Sequence, residues 1–174
     1  MKKNWYAVYT KPHSELKVTA LLTKKKIDNY CPLIQSESNN YGKRKLVYKP
    51  LFPSFVFVHI SEAQMGFIRQ TNDIINFIYW INKPAVIKES EIKAIEYFTG
   101  VHSNITLEKV AVNPAAMPST VNEPLIVANS NSSLSVKVMN IKMSLPSLGY
   151  AMVAEAENDA EMLNFKYKAS KMVS

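Results

Sequence analysis

The stretch of sequence that most restricts the fold is KPLFPSFVFV, Lys49 to Val58, which is almost entirely apolar. In an extended strand, successive side chains point to opposite faces. Both faces of this strand would be apolar, with Phe52, Val56 and Val58 on one side and Leu51, Phe55 and Phe57 on the other. A strand half exposed to water would instead alternate apolar and polar residues. Either this chain covers both sides of the strand, or one side is kept for a partner.

Length and composition indicate a folded protein that does not span a membrane. The chain has 174 residues, enough for one ordinary domain or two small ones, and 47% of them are hydrophobic. Its apolar runs are far shorter than the roughly 20 residues that cross a bilayer, and charged residues interrupt the N-terminus too early for a signal peptide. We therefore expect a soluble, cytoplasmic protein with no membrane contact.

The excess positive charge of the chain is confined to its first hundred residues. The formal net charge is +7, and residues 1–100 carry all of this excess, whereas residues 101–174 hold equal numbers of basic and acidic side chains. This asymmetry indicates that the first half meets a polyanion. Nucleic acid is favoured over a membrane because no basic amphipathic helix with a broad apolar face is evident. Solubility alone is the other explanation for the charge.

The first hundred residues alternate the patterns of strands and helices. Aromatic and β-branched residues predict a first strand at Asn4–Thr10, and Ser14 and Glu15 suit the start of a helix that ends at lysines 24–26. The further predicted elements are a strand at 29–37, a hairpin tip at 38–45, the apolar strand, a helix at 62–71, a strand at 74–80 and a helix from Ser90 to Gly100. The order β-α-β-β-β-α-β-α predicts an α+β fold, a sandwich in which helices cover one face of a mostly antiparallel sheet.

After Gly100 the pattern changes to that of a linker followed by a second, smaller domain. Residues 101–119 contain prolines and small residues, as linkers do, although the stretch ITLEKVAV within them is compatible with order. Five short strand-like segments follow: PLIVA, SLSVKVMN, IKMSL, YAMVAEA and LNFKYK. Strands this short and this evenly spaced predict a small β-barrel.

The sequence offers no recognisable catalytic site. His13, His59 and His102 are far apart and lack metal-ligand spacing, and four glycines form no phosphate-binding loop. The single cysteine, Cys31, has no second cysteine to pair with, and we interpret it as a small buried residue. We therefore expect a binding protein, not an enzyme, with no metal and no cofactor. An enzyme whose site is assembled from distant residues is the alternative.

Several motifs in the first half resemble the N-terminal domain of the NusG family of transcription elongation factors. They are WYAVYTKPHSELKVTALL followed by YCPL, then KPLFPSFVFVHI and NKPAVIKESEIKAI, and they cover nearly all of residues 4–99 in order. The PLFP form and the Trp-Tyr start of the first strand are most similar to the specialised paralogues, RfaH and the UpxY-type antiterminators. VNEPLIV and SLPSLGYAMVAEAENDAEML resemble the two ends of the family's KOW barrel, but its glycine-rich turn has no counterpart between Gly100 and Gly149.

The resemblance implies two domains, a NusG-type α/β sandwich at 1–100 and a divergent KOW-like β-barrel at 120–174, joined by a linker at 101–119. It also implies that an apolar sheet surface of the first domain binds the clamp helices of RNA polymerase. The matching contact residues are Tyr6, Tyr9, Phe52 and Pro53, while Trp5 and Phe55 also match the motif and are expected nearer the core. The alternative is that all these aromatic residues belong to the core.

A second contact implied by the resemblance is with exposed non-template DNA in the transcription bubble. The positions that correspond lie beside the first and second helices and at the hairpin tip: Lys11, His13, Lys17, Arg69, Gln70, Thr71, Lys43, Arg44 and Lys45. Basic side chains would supply salt-sensitive affinity for the backbone, and base choice would come from hydrogen bonds or stacking on an unpaired base. The alternative for each lysine is an exposed, solvated side chain.

The function implied is transcription elongation and antitermination, with reduced pausing and termination on particular operons such as those for polysaccharide synthesis. The C-terminal domain would recruit or exclude another factor, such as a ribosomal protein or a termination factor. A stand-alone RNA-binding or ribosome-associated module is the competing interpretation, and it predicts binding to free RNA without polymerase.

Overall fold

The computed structural model of the protein describes residues 2–40, 43–80, 82–102, 104–110, 126–130 and 139–156. Contacts divide the chain into two compact units, Met1–Glu89 and Ser90–Ser174. The first unit contains strands β1 (Asn4–Thr10), β2 (Asp28–Tyr30), β3 (Leu33–Asn40), β4 (Lys43–Pro50), β5 (Phe55–Ile60), β6 (Ile74–Phe77), β7 (Tyr79–Trp80), β8 (Lys83–Pro84) and β9 (Val86–Ile87), and helices α1 (Glu15–Lys24) and α2 (Met65–Arg69). A 3₁₀ turn, Glu62–Gln64, precedes α2. Helix α3 (Glu89–Val101) and strands β10 (Ile105–Lys109), β11 (Ile126–Ser130), β12 (Met139–Leu145) and β13 (Tyr150–Ala156) follow.

The first unit is built on an antiparallel sheet with β1 and β5 at its centre. The strand order is β2-β5-β1-β6, and β9 pairs with β1 beyond the end of β6. Tyr6 lies opposite Val58 and Val8 opposite Val56, so these four side chains share one face. Helices α1 and α2 cover that face, since their buried side chains join the same apolar cluster. The predicted sandwich of helices on an antiparallel sheet is confirmed for this unit.

Within the apolar stretch, residues 55–58 are buried on both faces of the strand, whereas the pattern had left open whether this chain or a partner covers the second face. Phe55, Val56, Phe57 and Val58 are all buried in β5. The strand is shorter than expected, however, because residues 51–54 form a turn before it. The Phe52 ring meets the Phe57 ring edge-on at 5.5 Å between centroids, so Phe52 does not share the face of Val56 and Val58. Simple alternation from Phe52 is broken by the turn.

Other boundaries differ from the sequence prediction where the chain changes direction. The strand expected at 29–37 is two strands, because Cys31 and Pro32 separate β2 from β3. The Pro32 carbonyl instead accepts a hydrogen bond from the Leu51 amide at 2.8 Å. The strand expected at 74–80 likewise breaks at Ile78 into β6 and β7. Ser14 precedes α1 but makes no side-chain capping bond.

The second unit contains a four-stranded antiparallel sheet of order β10-β13-β12-β11. Strand β10 falls within the stretch expected as a linker, and β12 joins the end of SLSVKVMN to IKMSL in one strand. Helix α3 buries Ile92, Ile95 and Phe98 and continues through Gly100 to Val101. LNFKYK lies outside the described residues, so the barrel stays a prediction. Among the described residues, no helix is long and apolar enough to cross a membrane.

Candidate functional site

Aromatic rings line the face of the first sheet that α1 and α2 do not cover. We call this the aromatic face and define it by Trp5, Tyr9, Tyr30, Phe52, Phe55 and Phe57. The centroids of Tyr9 and Phe55 are 4.5 Å apart, those of Tyr30 and Phe57 are 6.3 Å apart, and Trp5 stacks on His59 at 4.9 Å. Such pairs each add about 0.5–1.5 kcal/mol beyond the burial of their area. Phe52, Phe55 and Phe57 are themselves buried, so the accessible part of this ring cluster is the exposed Tyr9 together with the half-buried Trp5 and Tyr30.

Three aromatic residues and one proline were expected to contact polymerase, and the structure does not place all four on the same face. Tyr9 is 42% exposed, and Pro53 is also exposed beside the buried Phe52. Tyr6 is only 2% exposed and packs edge-on against Phe77 in the core beneath the helices. Positions 6 and 9 of one strand lie on opposite faces because the side-chain period is two. Tyr6 is therefore a core residue and does not belong to the aromatic face.

Two of the predicted nucleic-acid residues meet a single carboxylate. The Nζ atoms of Lys11 and Lys17 lie 3.3 and 2.7 Å from the Asp73 carboxylate oxygens, and the Lys11 amide donates to the Asp73 carbonyl at 2.9 Å. The hydrogen bonds from Lys17 and then Lys11 lower the pKa of Asp73 below its usual range. This contact joins the loop before α1 to the loop before β6. His13 is exposed in the same loop and has a φ of 63°.

A partly open pocket of about 280 Å³ lies along α1 next to this ion pair. It is lined by Lys17, Val18, Ala20, Leu21, Lys24, Asn72 and Asp73. Lys24 and Asn72 were not among the predicted site residues. The signal for Lys24 was its spacing of seven residues from Lys17, which places both on one face of a helix. Asn72 directly follows the predicted trio 69–71.

The trio Arg69, Gln70 and Thr71 is not one surface. The Arg69 guanidinium donates to the Tyr79 hydroxyl at 2.6 Å and lies over the Phe77 ring, and Gln70 is exposed. Thr71 is buried, and its hydroxyl bonds to the Phe67 carbonyl at 3.1 Å. Arg69 and Gln70 are therefore accessible to a partner, whereas Thr71 is a structural residue.

The basic hairpin is longer than the sequence indicated. Strands β3 and β4 pair from Leu33 with Pro50 as far as Asn40 with Lys43, a ribbon of eight residue pairs, roughly 25 Å long. Arg44 and Lys45 are exposed and lie in the paired part of the ribbon, not in its loop. The ribbon therefore presents positive charge along its far end.

Cys31 and the potential metal ligands show no reactive arrangement in the described part of the chain. Burial, and secondly the charge of Glu15, raise the pKa of the Cys31 thiol to about 11, so it stays protonated at neutral pH. No group of three or more His, Cys, Asp or Glu residues is placed to hold a metal ion within these ranges.

The described residues of the first unit thus combine the aromatic face with exposed basic side chains beside α1 and on the β3–β4 ribbon. The family described as "Transcription termination factor nusG" matches residues 3–96, more than half of the chain, and the chain belongs to this NusG family. The family resemblance found in the sequence is thus confirmed. This family consists of transcription elongation and termination factors, and its members interact with RNA polymerase and are not enzymes.

A solved structure titled "Domain interaction in Thermotoga maritima NusG" is similar to this chain. The two sequences are 18% identical, and the match covers 90% of this chain and 94% of that one, with a TM-score of 0.46.

Proposed function

We propose that this protein is an operon-specific elongation and antitermination factor that docks on the clamp helices of RNA polymerase and contacts exposed non-template DNA. The observation that carries the proposal is the aromatic face, whose exposed Tyr9 and half-buried Trp5 and Tyr30 lie on the side of the sheet away from α1 and α2. The proposal goes beyond family membership because it names the docking surface, the DNA contact and the antitermination role. The domain limits of 1–100, 101–119 and 120–174 are part of the proposal.

Polymerase docking is supported by the exposed members of the aromatic face. Tyr9 and Pro53 present apolar surface to a partner, and the ring of Phe55 holds the Tyr9 ring in place. Aromatic anchors that fill an apolar pocket each contribute about 2 kcal/mol or more to an interface. A pair of helices with an apolar stripe is a partner of matching chemistry for a sheet surface of this kind.

The DNA contact is supported by exposed cations on one side of the first unit and by the pocket beside α1. Lys11, Lys17 and Lys24 are exposed there, and Asn72 offers an amide that can bond to a base edge. Arg44 and Lys45 on the ribbon add a second basic surface. Contacts to the sugar-phosphate backbone would supply affinity, and the pocket would supply selectivity.

Bridging polymerase and DNA would hold the elongation complex closed, which suppresses pausing and allows transcription past terminators. In this proposal the C-terminal domain recruits a ribosomal protein or a termination factor. Operons for polysaccharide synthesis are the proposed targets, and the cytoplasm is the proposed location.

The decisive experiment compares binding of the full chain to a reconstituted elongation complex with binding to the same nucleic-acid scaffold without polymerase, at near-physiological salt. Binding that requires polymerase supports the proposal. Equal binding to both would refute it and favour a stand-alone RNA-binding or ribosome-associated module. The observation behind this second candidate is the exposed basic ribbon, which needs no polymerase to meet a polyanion.

Neutralising Asp73 is expected to strengthen binding to single-stranded DNA by about two- to fivefold, because the carboxylate competes with phosphate for Lys11 and Lys17. Asp73→Asn is the suitable change, since Asp73 has a φ of 66° and asparagine tolerates that conformation. Lys17→Gln should weaken binding and make the salt dependence shallower by about 0.7 in log-log slope. Fluorescence anisotropy at salt concentrations between roughly 50 and 200 mM measures both quantities.

Asp28→Asn is the matched control, because Asp28 also pairs with a lysine, Lys3, at 3.1 Å but lies away from the pocket residues. Equal gains in DNA affinity from the two variants would mean that the effect comes only from the change in net charge. Because the pKa of Asp73 is lowered, its ion pairs are fully formed above the ordinary aspartate range and are lost only as pH falls through the lowered pKa. The gain from Asp73→Asn should therefore stay constant across neutral pH and disappear in acid.

A further inference from the structure

A buried glutamate in the first turn of α1 has a partner that the polymerase and DNA contacts do not explain. Glu15 is only 6% exposed, and glutamate is rarely buried without a bonded partner. Its Oε1 atom accepts a hydrogen bond of 2.6 Å from the Ser54 backbone amide, 39 residues away in sequence. A bond between a carboxylate and an amide is charge-assisted and about twice as strong as a neutral one.

Ser54, the residue whose amide donates to Glu15, has an unfavourable backbone conformation. Ser54 has a φ of 63°, in the left-handed region that non-glycine residues rarely adopt. Its carbonyl also accepts a hydrogen bond from the Thr10 amide at 2.9 Å. Both backbone polar groups of Ser54 are therefore fixed, the carbonyl by the end of β1 and the amide by α1. A strained residue persists when its surroundings determine its conformation in this way.

Ser54 lies in a turn that also carries Phe52 and Pro53 and is closed by a hydrogen bond of 3.2 Å from the Phe55 amide to the Phe52 carbonyl. The Phe52 ring rests against Phe57 on the aromatic face, and Pro53 is exposed beside it. The left-handed residue reverses the chain so that β5 can begin at Phe55 while Phe52 still reaches that face. A change in the conformation of Ser54 would therefore move both Phe52 and Pro53.

We propose that Glu15 is a positioning residue, which holds the 51–54 turn in the conformation that places Phe52 and Pro53 for docking on RNA polymerase. This inference rests on the proposed function, because it assigns a role to Glu15 within the same surface. The inference adds one point to the proposed function. A single carboxylate of α1 fixes the shape of the docking face, although α1 packs on the opposite side of the sheet. The residue itself does not touch the partner.

The test combines amide hydrogen exchange in the full chain with polymerase binding. Glu15→Ala should speed exchange of the amide at position 54 by about tenfold or more, because that amide loses its acceptor. It should also weaken binding to core polymerase by about tenfold. Glu15→Gln keeps an oxygen acceptor and should restore most of both properties. Glu96→Ala, at an exposed glutamate of α3, is the matched control and should change neither.

A second variant keeps the test decisive where Glu15→Ala folds poorly. Glycine adopts positive φ at little cost, so Ser54→Gly combined with Glu15→Ala should recover part of the polymerase affinity. Unchanged exchange at position 54 in Glu15→Ala would overturn the inference, as would faster exchange with unchanged polymerase binding. Failure of the wild-type chain itself to bind polymerase would refute the proposed function instead, and the two failures are therefore distinguishable.

Discussion

Tyr9→Ala is expected to bind RNA polymerase about thirtyfold more weakly than the wild-type chain, while its free energy of unfolding changes by about 1 kcal/mol or less. The side chain is 42% exposed on the aromatic face, and its described ring contact is with Phe55 at 4.5 Å. Removing it takes away an anchor of about 2 kcal/mol from the proposed interface. It opens no cavity in the core, because the ring already borders solvent.

Binding to core polymerase without nucleic acid is the measurement that isolates this contact, because the basic surfaces then play no part. Tyr48→Ala is the matched control. Tyr48 is also an exposed tyrosine, but it lies on the β3–β4 ribbon and not on the aromatic face. Equal affinities of the Tyr9→Ala and wild-type proteins would place the docking surface elsewhere.

Tyr9 is a sharper test of docking than Phe52, the most conspicuous residue of the PLFP motif. Phe52 is buried, and its ring packs on Phe57. A charged residue at position 52 would therefore change stability and binding together, because a buried unpaired charge is costly. The Tyr9 ring is exposed, so its removal should change polymerase binding with little change in stability.

Local sequence patterns were sufficient to predict those helices and strands whose side chains follow a regular period. The limits predicted for the first strand, Asn4–Thr10, are those of β1, and residues 55–58 are buried on both faces, which is one of the two outcomes that their apolar pattern left open. The helix expected from Ser90 is α3, which extends one residue beyond Gly100. Helix ends vary by a residue or two because terminal turns are held by few bonds.

Turns that depend on distant partners could not be predicted in the same way. Ser54 is held in its left-handed conformation by hydrogen bonds with Thr10 and Glu15 of other elements, in addition to the local bond of 3.2 Å from the Phe55 amide to the Phe52 carbonyl. The simple strand period assumed for this stretch did not include the turn. The face of Phe52 was predicted incorrectly for this reason. The grouping of Tyr6 with Tyr9 has a different cause, because it followed the family motif and did not apply the two-residue period of a strand.

The basic site shows the same limit of local information. Lys11 and Lys17 were predicted from charge and from the family pattern, but their shared partner, Asp73, is 56 residues from Lys17 in sequence. The ion pair forms only because β6 lies next to β1 in the sheet. A count of positive residues therefore overstated the free positive charge beside α1.

Phe57→Ala is expected to lower the free energy of unfolding of the first unit by about 3–5 kcal/mol. Phe57 is 0% exposed at the centre of the sheet, and its ring meets those of Phe52 and Tyr30. Truncation removes transfer free energy and leaves a cavity that a close-packed sheet fills poorly. The loss is large against the roughly 5–15 kcal/mol that stabilises a typical domain.

Urea unfolding followed by tryptophan fluorescence measures this change in the intact chain, because both tryptophans, Trp5 and Trp80, lie in the first unit. Phe67→Ala is the matched control: it removes the same ring from α2, where Phe67 is 42% exposed, and should cost about 1 kcal/mol or less. Similar losses for the two variants would contradict a core role for Phe57. A large difference between them would mean that β5 stabilises the fold through Phe57 on the same face where Tyr9 remains open to a partner. One strand pair would then provide both the core and the docking surface, which accounts for apolar residues on both of its faces.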